Sequence, residues 1–243
     1  MKTQKVFEIP TLRNKTYVFR DRDEVGRILA QMLKPRYQDA PDTLVLGIPS
    51  GGVPIAITIS KELHLPLDLF IVRKVQIPGN PEAGMGALGI GGGLLLNEPL
   101  IDRLGITPRQ VEEQIERVRQ ELSRRNELFR KGRPLPDLKG KTVILADDGL
   151  ASGFTTLVAI RGVRALGARK VVVAAPTGSD TAIARLSEEA DEIYCPNIRS
   201  GFYFAVAEAY QNWYDLEPRE VIQRLQQAGY LSQEQEGPEK EAA

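Results

Sequence analysis

Short apolar runs that alternate with helical patterns limit this chain to a small set of folds. Five of the runs are brief, rich in β-branched residues and bounded by turn residues, as buried strands are: 43–48, 67–72, 142–146, 170–176 and 192–195. Helical patterns separate them, at 53–63, 154–166 and 181–186. Strands that alternate with helices predict an α/β fold, in which a parallel twisted sheet is flanked by helices.

The composition restricts the partners that the chain is expected to bind. Of the 243 residues, 42% are hydrophobic, which is enough for a globular core. Thirty-two basic residues balance 32 acidic residues, so no net charge favours nucleic acid or an anionic membrane as a partner. The first ten residues lack the apolar segment of a signal peptide, and no apolar run approaches the roughly 18 residues of a membrane span. We therefore expect a soluble, cytoplasmic protein whose anion-binding sites are local.

The chain has a single cysteine, Cys195, and a single histidine, His64. These two residues exclude a disulfide framework and a zinc site built from cysteine and histidine. We therefore expect a buried cysteine, a surface histidine and a chemistry that uses no histidine base. Carboxylates, backbone amides, lysine and arginine remain as the functional groups.

The order of the patterns predicts one domain over residues 1–231, with its core at about 16–196. Inserted helices are expected at about 97–131, followed by a small C-terminal hood with a helix at about 197–231. Residues 232–243 are polar, charged and without periodicity, which predicts a disordered tail.

The longest helical pattern covers residues 107–130 and is highly charged. Its apolar positions recur at helical spacing and form one narrow stripe: Val111, Ile115, Val118 and Leu122. The stripe spans fewer than the three or four heptads that define a coiled coil. Packing along the flank of the domain is therefore favoured, and a homodimer is the alternative.

The loop after residue 146 has the composition of an anion site. In parallel α/β sheets, ligands bind beyond the carboxyl ends of the strands, and this loop follows one of them. Small residues at 149, 151, 152 and 153 allow backbone N–H groups at the start of the next helix to face a ligand. Ser152, Thr155 and Thr156 add hydroxyl donors. These features predict a phosphate-binding loop.

Two adjacent acids, Asp147 and Asp148, stand between the strand and this loop. Carboxylates accept hydrogen bonds from vicinal hydroxyls or from water on a bound cation, so the pair favours a sugar that carries a phosphate. A tight Asp-Asp-Gly turn without a ligand is the structural alternative.

Residues 143–176, "VILADDGLASGFTTLVAIRGVRALGARKVVVAAP", resemble the phosphoribosyl pyrophosphate (PRPP) motif of the type I phosphoribosyltransferases. The resemblance implies that Asp147 and Asp148 are catalytic residues that face the ribose hydroxyls and contact Mg²⁺ indirectly. It also implies that one loop holds the ribose 5-phosphate: Gly149, Ala151, Ser152, Gly153, Phe154 and Thr155. Two positions depart from the family pattern, since Ser152 replaces a more usual threonine and Ala146 a larger aliphatic residue.

The loop after residue 48, "PSGGVP", brings consecutive glycines to the end of another strand. In the resembling family this loop binds pyrophosphate, which implies that role for Ser50, Gly51 and Gly52. Many members carry a basic residue at the position of Ser50, so main-chain contacts are expected to matter more here. A plain strand-to-helix turn is the alternative.

Two cations, Arg73 and Lys74, follow the apolar run at 67–72. We expect at least one of them to neutralise pyrophosphate and thus to be catalytic, with exposure to solvent as the alternative. The Gly/Pro-rich stretch up to residue 93 is too long for a simple connection. It predicts a mobile lid, as in the resembling family.

The segment 198–216 is rich in aromatic residues. Phe202 and Tyr203 are candidates to stack on an acceptor, whereas a small hydrophobic core of the hood is the alternative for most of the aromatics.

The resemblance implies a magnesium-dependent phosphoribosyltransferase. The expected reaction transfers the 5-phosphoribosyl group of PRPP to a small-molecule acceptor, such as a nucleobase, with release of pyrophosphate. A non-catalytic PRPP-binding regulator of the same fold is the alternative. A phosphatase or another sugar-phosphate enzyme is a third hypothesis, but the sequence offers it no identifiable nucleophile or base.

Overall fold

The computed structural model describes residues 5–201 and 203–232, without the side chains of Pro81 and Glu82. The tail predicted to be disordered falls almost entirely outside this range. The strands are β1 (Val6–Phe7), β2 (Thr43–Gly47), β3 (Leu67–Leu69), β4 (Val72–Ile77), β5 (Asn80–Gly89), β6 (Leu94–Leu96), β7 (Thr142–Ala146), β8 (Lys170–Ala174), β9 (Thr177–Ser179), β10 (Glu192–Tyr194) and β11 (Asn197–Arg199). The helices are α1 (Arg22–Tyr37), α2 (Gly52–Leu63), α3 (Glu98–Arg103), α4 (Pro108–Arg130), α5 (Phe154–Ala165), α6 (Asp180–Ser187) and α7 (Pro218–Gln227).

A six-stranded sheet forms the centre of the protein, in the order β1-β10-β8-β7-β2-β3. All of its pairings are parallel, which confirms the predicted α/β fold. The register pairs Gly47 of β2 with Ala146 of β7, and Ala146 with Ala174 of β8. The carboxyl ends of β2 and β7 therefore lie side by side, and the loops that follow them are neighbours.

Helices cover both faces of this sheet, which explains why its strands are apolar at nearly every position. In β7, Val143 and Leu145 pack on the face covered by α5 and α6, while Ile144 and Ala146 pack on the face of α1 and α2. Burying such an aliphatic side chain stabilises the fold by about 1.5–3 kcal/mol before conformational entropy is subtracted. Among the described residues, no helix combines the length and hydropathy of a membrane span.

The prediction of one strand over residues 67–72 is wrong. The strand β3 ends at Leu69, and Val72 begins β4 in a separate antiparallel sheet of order β4-β5-β6. A turn containing Gly79, at φ +77°, joins β4 to β5. The Gly/Pro-rich stretch forms a paired hairpin, and Val75 of β4 and Met85 of β5 are buried in the same apolar cluster. That it acts as a mobile lid stays a prediction.

The long charged helix matches its predicted bounds. Thr107 caps α4 in a capping box with Gln110, which satisfies two backbone donors at the helix start. Ile115, Val118 and Leu122 pack against the apolar face of the antiparallel sheet. The stripe therefore has a partner within the chain, as expected for a helix on the flank of the domain.

A buried ion pair connects α4 to the central sheet. The Arg130 side chain is fully buried, and its Nε and Nη2 donate to Asp68 Oδ1 and Oδ2 at 2.8 and 3.0 Å. The hydroxyl of Tyr230 also donates to Asp68. Burial alone would raise the pKa of Asp68, but the bonds from Arg130 and Tyr230 outweigh it and hold that pKa below its usual value.

This pair yields a prediction about stability. Asp68→Asn should lower the free energy of unfolding at pH 7 by about 3 kcal/mol, because it leaves a buried charge without its anion. Arg130 keeps bonds to Asn126 Oδ1 and to main-chain carbonyls, which limits the loss. Since the pKa of Asp68 is lowered by folding, its contribution is present above about pH 4 and fades as the pH falls further.

Denaturant unfolding of both forms between pH 7 and pH 3 measures this difference. Glu113→Gln, which breaks the exposed pair with Arg109 on the same helix, is the control and should change stability by less than about 0.5 kcal/mol. Equal midpoints for the two variants at pH 7 would contradict the role of Asp68.

Candidate active site

A cavity of about 320 Å³ opens at the carboxyl ends of β2 and β7. Residues 48–51, 72–74 and 147–153, with Thr155 and Thr156, line it. The two loops and the pair of cations selected from the sequence thus meet in one place. A larger depression, of about 740 Å³, lies between α2 and α7 at the amino end of β3. Its Asp68 and Arg224 already have ion-pair partners, so the smaller cavity is the better candidate.

The loop after β7 has paired carbonyls but leaves several of its amides without acceptors in the described part of the chain. The carbonyls of Leu150 and Ala151 accept from Ser179, and Arg185 donates to the carbonyl of Ser152. By contrast, several amides have no acceptor among the described residues, and they include those of Gly149, Ala151, Ser152, Gly153 and Thr155. Gly153, the N-cap residue of α5, has φ +76°, a conformation that favours glycine. Unpaired amides at a helix start form a site for a phosphate.

The loop after β2 approaches the acids closely. A Cβ on Gly51 would lie 1.7 Å from Asp148 Oδ2, and one on Gly52 would lie 2.3 Å from the carbonyl oxygen of Ala146. Both glycines are therefore required for this approach. The Pro49–Ser50 peptide bond is cis, and the amides of Ser50 and Gly51 have no acceptor among the described residues. A second group of amides thus faces the same cavity.

The two acids have different environments. Asp147 accepts from the amide of Asp148 at 2.9 Å and from Thr156 Oγ1 at 3.3 Å. Burial raises the pKa of Asp147 well above its usual value, and the negative charge of Asp148 raises it further. Burial also raises the pKa of Asp148, while the guanidinium of Arg22 opposes that rise.

Arg22 is a residue of the site that sequence reasoning missed. Its Nε and Nη2 donate to Asp148 Oδ2 at 3.1 and 2.9 Å, and its Nη1 donates to the carbonyl of Tyr214 at 3.0 Å. The ring of Trp213 lies 4.1 Å from the guanidinium. One local signal was available: Arg22 is the first residue of α1, where a positive charge opposes the helix dipole.

The two cations point to opposite faces of β4, as neighbours on a strand do. Arg73 Nη2 pairs with Glu121 of α4 at 2.7 Å, while its buried Nε has no partner among the described residues. The stem of Lys74 would contact a Cβ placed on Gly84 at 2.5 Å. Both residues line the cavity, but they lie inside β4 and not at the end of a central strand.

Of the two aromatic candidates for acceptor binding, only Tyr203 can be compared with the cavity. Phe202 lies outside the described residues. Tyr203 is 76% exposed and is not part of the cavity lining. Other aromatic residues of the same segment lie closer to the acids, since Tyr210 donates its hydroxyl to the carbonyl of Asp148 at 2.8 Å and packs against Trp213.

The donor groups suit a magnesium ion that arrives with its ligand. No cluster of three or more His, Cys, Asp or Glu side chains that could hold a metal exists within the described residues. Two adjacent carboxylates are too few for an all-protein cage, but Mg²⁺ commonly takes one or two carboxylates together with water and substrate phosphates. The single histidine, His64, pairs with Asp39 on the surface.

Sequence comparison assigns the chain to a family. Residues 21–213 match the model of the phosphoribosyl transferase domain. The chain therefore belongs to the phosphoribosyl transferase domain family, as its resemblance to the PRPP motif indicated.

Individual relatives agree with this assignment. A protein of Mycobacterium tuberculosis that is provisionally named a phosphoribosyl transferase is 38% identical over 211 residues, which are 87% of this chain. The chain spans only 47% of that relative's length. The crystal structure of TT1426 from Thermus thermophilus is 35% identical, with a TM-score of 0.70 over 86% of this chain and 98% of that chain. A ribose-phosphate pyrophosphokinase of Pyrococcus furiosus is 44% identical over 63 residues, 25% of this chain and 23% of its own.

The contrast between the acids predicts different effects of two neighbouring substitutions. Because folding raises the pKa of Asp147, its ionised form costs stability at pH 7, and Asp147→Asn should raise the free energy of unfolding by about 0.5–2 kcal/mol. That advantage should shrink toward pH 4, where the carboxyl of the unchanged protein is protonated. The pKa of Asp148 is raised too, but Arg22 opposes that rise, so Asp148→Asn should be less stable than Asp147→Asn by at least about 1 kcal/mol, because Arg22 loses its charged partner.

Denaturant unfolding of the ligand-free proteins at pH 7 and pH 4 measures this difference. Equal shifts for the two variants at pH 7 would show that the acids do not have distinct environments.

Proposed function

We propose that the protein is a phosphoribosyltransferase that transfers the 5-phosphoribosyl group of PRPP to a nitrogen nucleophile and releases pyrophosphate. One observation carries the proposal: two groups of unpaired amides flank a pair of carboxylates at one edge of the sheet. PRPP has the matching order of groups, with a 5-phosphate, two ribose hydroxyls and a pyrophosphate. The family assignment, and the likeness to an enzyme named for ribose phosphate, support this match.

Each part of the cavity has a role in this proposal. The unpaired amides at 149, 151–153 and 155 bind the 5-phosphate together with the hydroxyls of Ser152 and Thr155. The carboxylates of Asp147 and Asp148 accept from the ribose hydroxyls. The amides of Ser50 and Gly51, with Gly52 and the charges of Arg73 and Lys74, bind the pyrophosphate. With both ends held, the ribose C1 is fixed for displacement, in which its bond to pyrophosphate breaks as a bond to nitrogen forms.

Magnesium, when bound with PRPP, supplies positive charge to the departing pyrophosphate. The residues that would approach it are Asp147 and Asp148, through water.

The acceptor is proposed to be a nucleobase. Ring nitrogens of bases carry a lone pair, so they attack without a strong protein base, and no histidine lines the cavity. The aromatic residues Tyr210 and Trp213 pack behind the acid pair and are not part of the cavity lining, so the residues that would contact the base stay open.

A PRPP-binding regulator is the second candidate. The ion pair between Arg73 and Glu121 favours it, because Arg73 is one of the two cations assigned to pyrophosphate and already has an anionic partner. A regulator would bind PRPP and release no pyrophosphate.

Calorimetric titration with PRPP and Mg²⁺, followed by assays of pyrophosphate release across a panel of bases, tests the proposal. We expect binding and release with at least one base. In Asp148→Asn, affinity or turnover should fall at least about tenfold, the scale of one lost charge-assisted hydrogen bond. Asp137→Asn, an exposed loop substitution, is the matched control and should leave both unchanged.

The outcomes separate the hypotheses. No binding at millimolar PRPP overturns both the enzyme and the regulator, whereas binding without release for any base favours the regulator. An unchanged Asp148→Asn variant would mean that the ribose lies elsewhere.

A further inference from the structure

The side chain of Arg22 is almost fully enclosed by hydrogen-bond acceptors and aromatic rings. It is only 6% exposed, although it is the first residue of α1. Three of its five N–H groups have acceptors, two on Asp148 and one on the carbonyl of Tyr214. The rings of Trp213, Tyr210 and Tyr214 lie 4.1, 5.7 and 5.8 Å from the guanidinium carbon. The guanidinium therefore has little freedom to move.

The contact is also asymmetric at the carboxylate. The Nε and Nη2 of Arg22 both donate to the same oxygen, Oδ2 of Asp148. In the usual bidentate arrangement, an arginine donates to both oxygens of a carboxylate. The other oxygen, Oδ1, accepts no hydrogen bond from another described residue. Asp148 lines the cavity, and its side chain is 18% exposed. The pairing thus satisfies one oxygen and leaves the other for a ligand.

Close packing fixes the orientation further. Gly51 lies directly against the carboxylate, since a Cβ there would come within 1.7, 2.1 and 2.7 Å of Oδ2, Cγ and Oδ1. Tyr210 holds the main-chain carbonyl of the same residue. With Gly51 on one side and Arg22 on the other, the carboxylate cannot rotate without breaking the ion pair.

We propose that Arg22 is the positioning residue of the ribose site: it holds Oδ2 of Asp148 so that Oδ1 is presented to a ribose hydroxyl. The inference rests on the proposed function, because it takes the ligand of Asp148 to be a ribose hydroxyl. It adds a residue far from the PRPP motif to the recognition of the sugar. Arg22 itself contacts no substrate in this arrangement.

The inference predicts a defect that depends on the ribose. Arg22→Met keeps most of the side-chain volume but lacks the donors, so Asp148 can turn. Affinity for PRPP and for ribose 5-phosphate should fall at least about tenfold, as for one lost charge-assisted hydrogen bond. Affinity for inorganic phosphate, which contacts only the amide loops, should change less than about twofold. Arg22→Lys retains the positive charge and a hydrogen-bond donor for Asp148, and it should recover part of the lost affinity.

Calorimetry with the three ligands, on proteins shown by thermal melting to be folded, measures these changes. Arg224→Met is the matched control, because Arg224 is a partly buried arginine that pairs with Asp23, the neighbour of Arg22, away from the cavity. It should lower stability without changing any of the three affinities.

The results distinguish this inference from the proposed function. If the unchanged protein binds PRPP and Arg22→Met binds it equally well, the inference is overturned and the proposed function stands. An equal loss of affinity for phosphate and for PRPP, or no recovery in Arg22→Lys, also overturns it, because a general structural defect would act that way. If the unchanged protein binds phosphate but neither ribose ligand, the proposed function is overturned, and the inference that rests on it is overturned as well.

Discussion

The parallel pairing of β2 with β7 is the constraint from which the site follows. Because Gly47 and Ala146 are partners at the ends of these strands, the two amide loops begin within one strand spacing, about 4.8 Å, of each other. Gly51 and Gly52 then allow the first loop to touch the acids that follow β7. Helices α2 and α5 start from these loops and bury both faces of the sheet, so the same hydrophobic packing that stabilises the fold also positions the amides.

The sequence predicted what depends on local periodicity. The strands at 142–146 and 170–176, the capped helix α4 and the loop after Ala146 were all visible, since each is encoded by neighbouring residues. The antiparallel sheet was missed, because glycines and prolines in β5 hide its alternation. Local patterns gave only one signal for Arg22, its position at the start of α1, because its partner Asp148 lies 126 residues away and only the folded sheet brings them together.

The acid pair illustrates a conflict between stability and function. Two adjacent carboxylates in a partly buried loop repel each other, and burial penalises both charges. Different groups stabilise the two carboxylates: Asp147 accepts from a hydroxyl and an amide, and Asp148 accepts from a guanidinium. Residual strain of this kind is expected where a ligand supplies the missing partners, because ribose hydroxyls and a cation would complete what the protein leaves unsatisfied.

The contacts of Arg22 also have a consequence for biosynthesis. They join residues 22, 148 and 214, so they close loops of 126 and 192 residues. Contacts between such distant residues form late, since the entropy of closing long loops opposes them until the intervening sheet is in place. On a ribosome, both amide loops are synthesised before residues 210–214. The carbonyl and rings that confine Arg22 are still missing at that stage, so the proposed ribose site would be complete only when the last aromatic segment has emerged and docked.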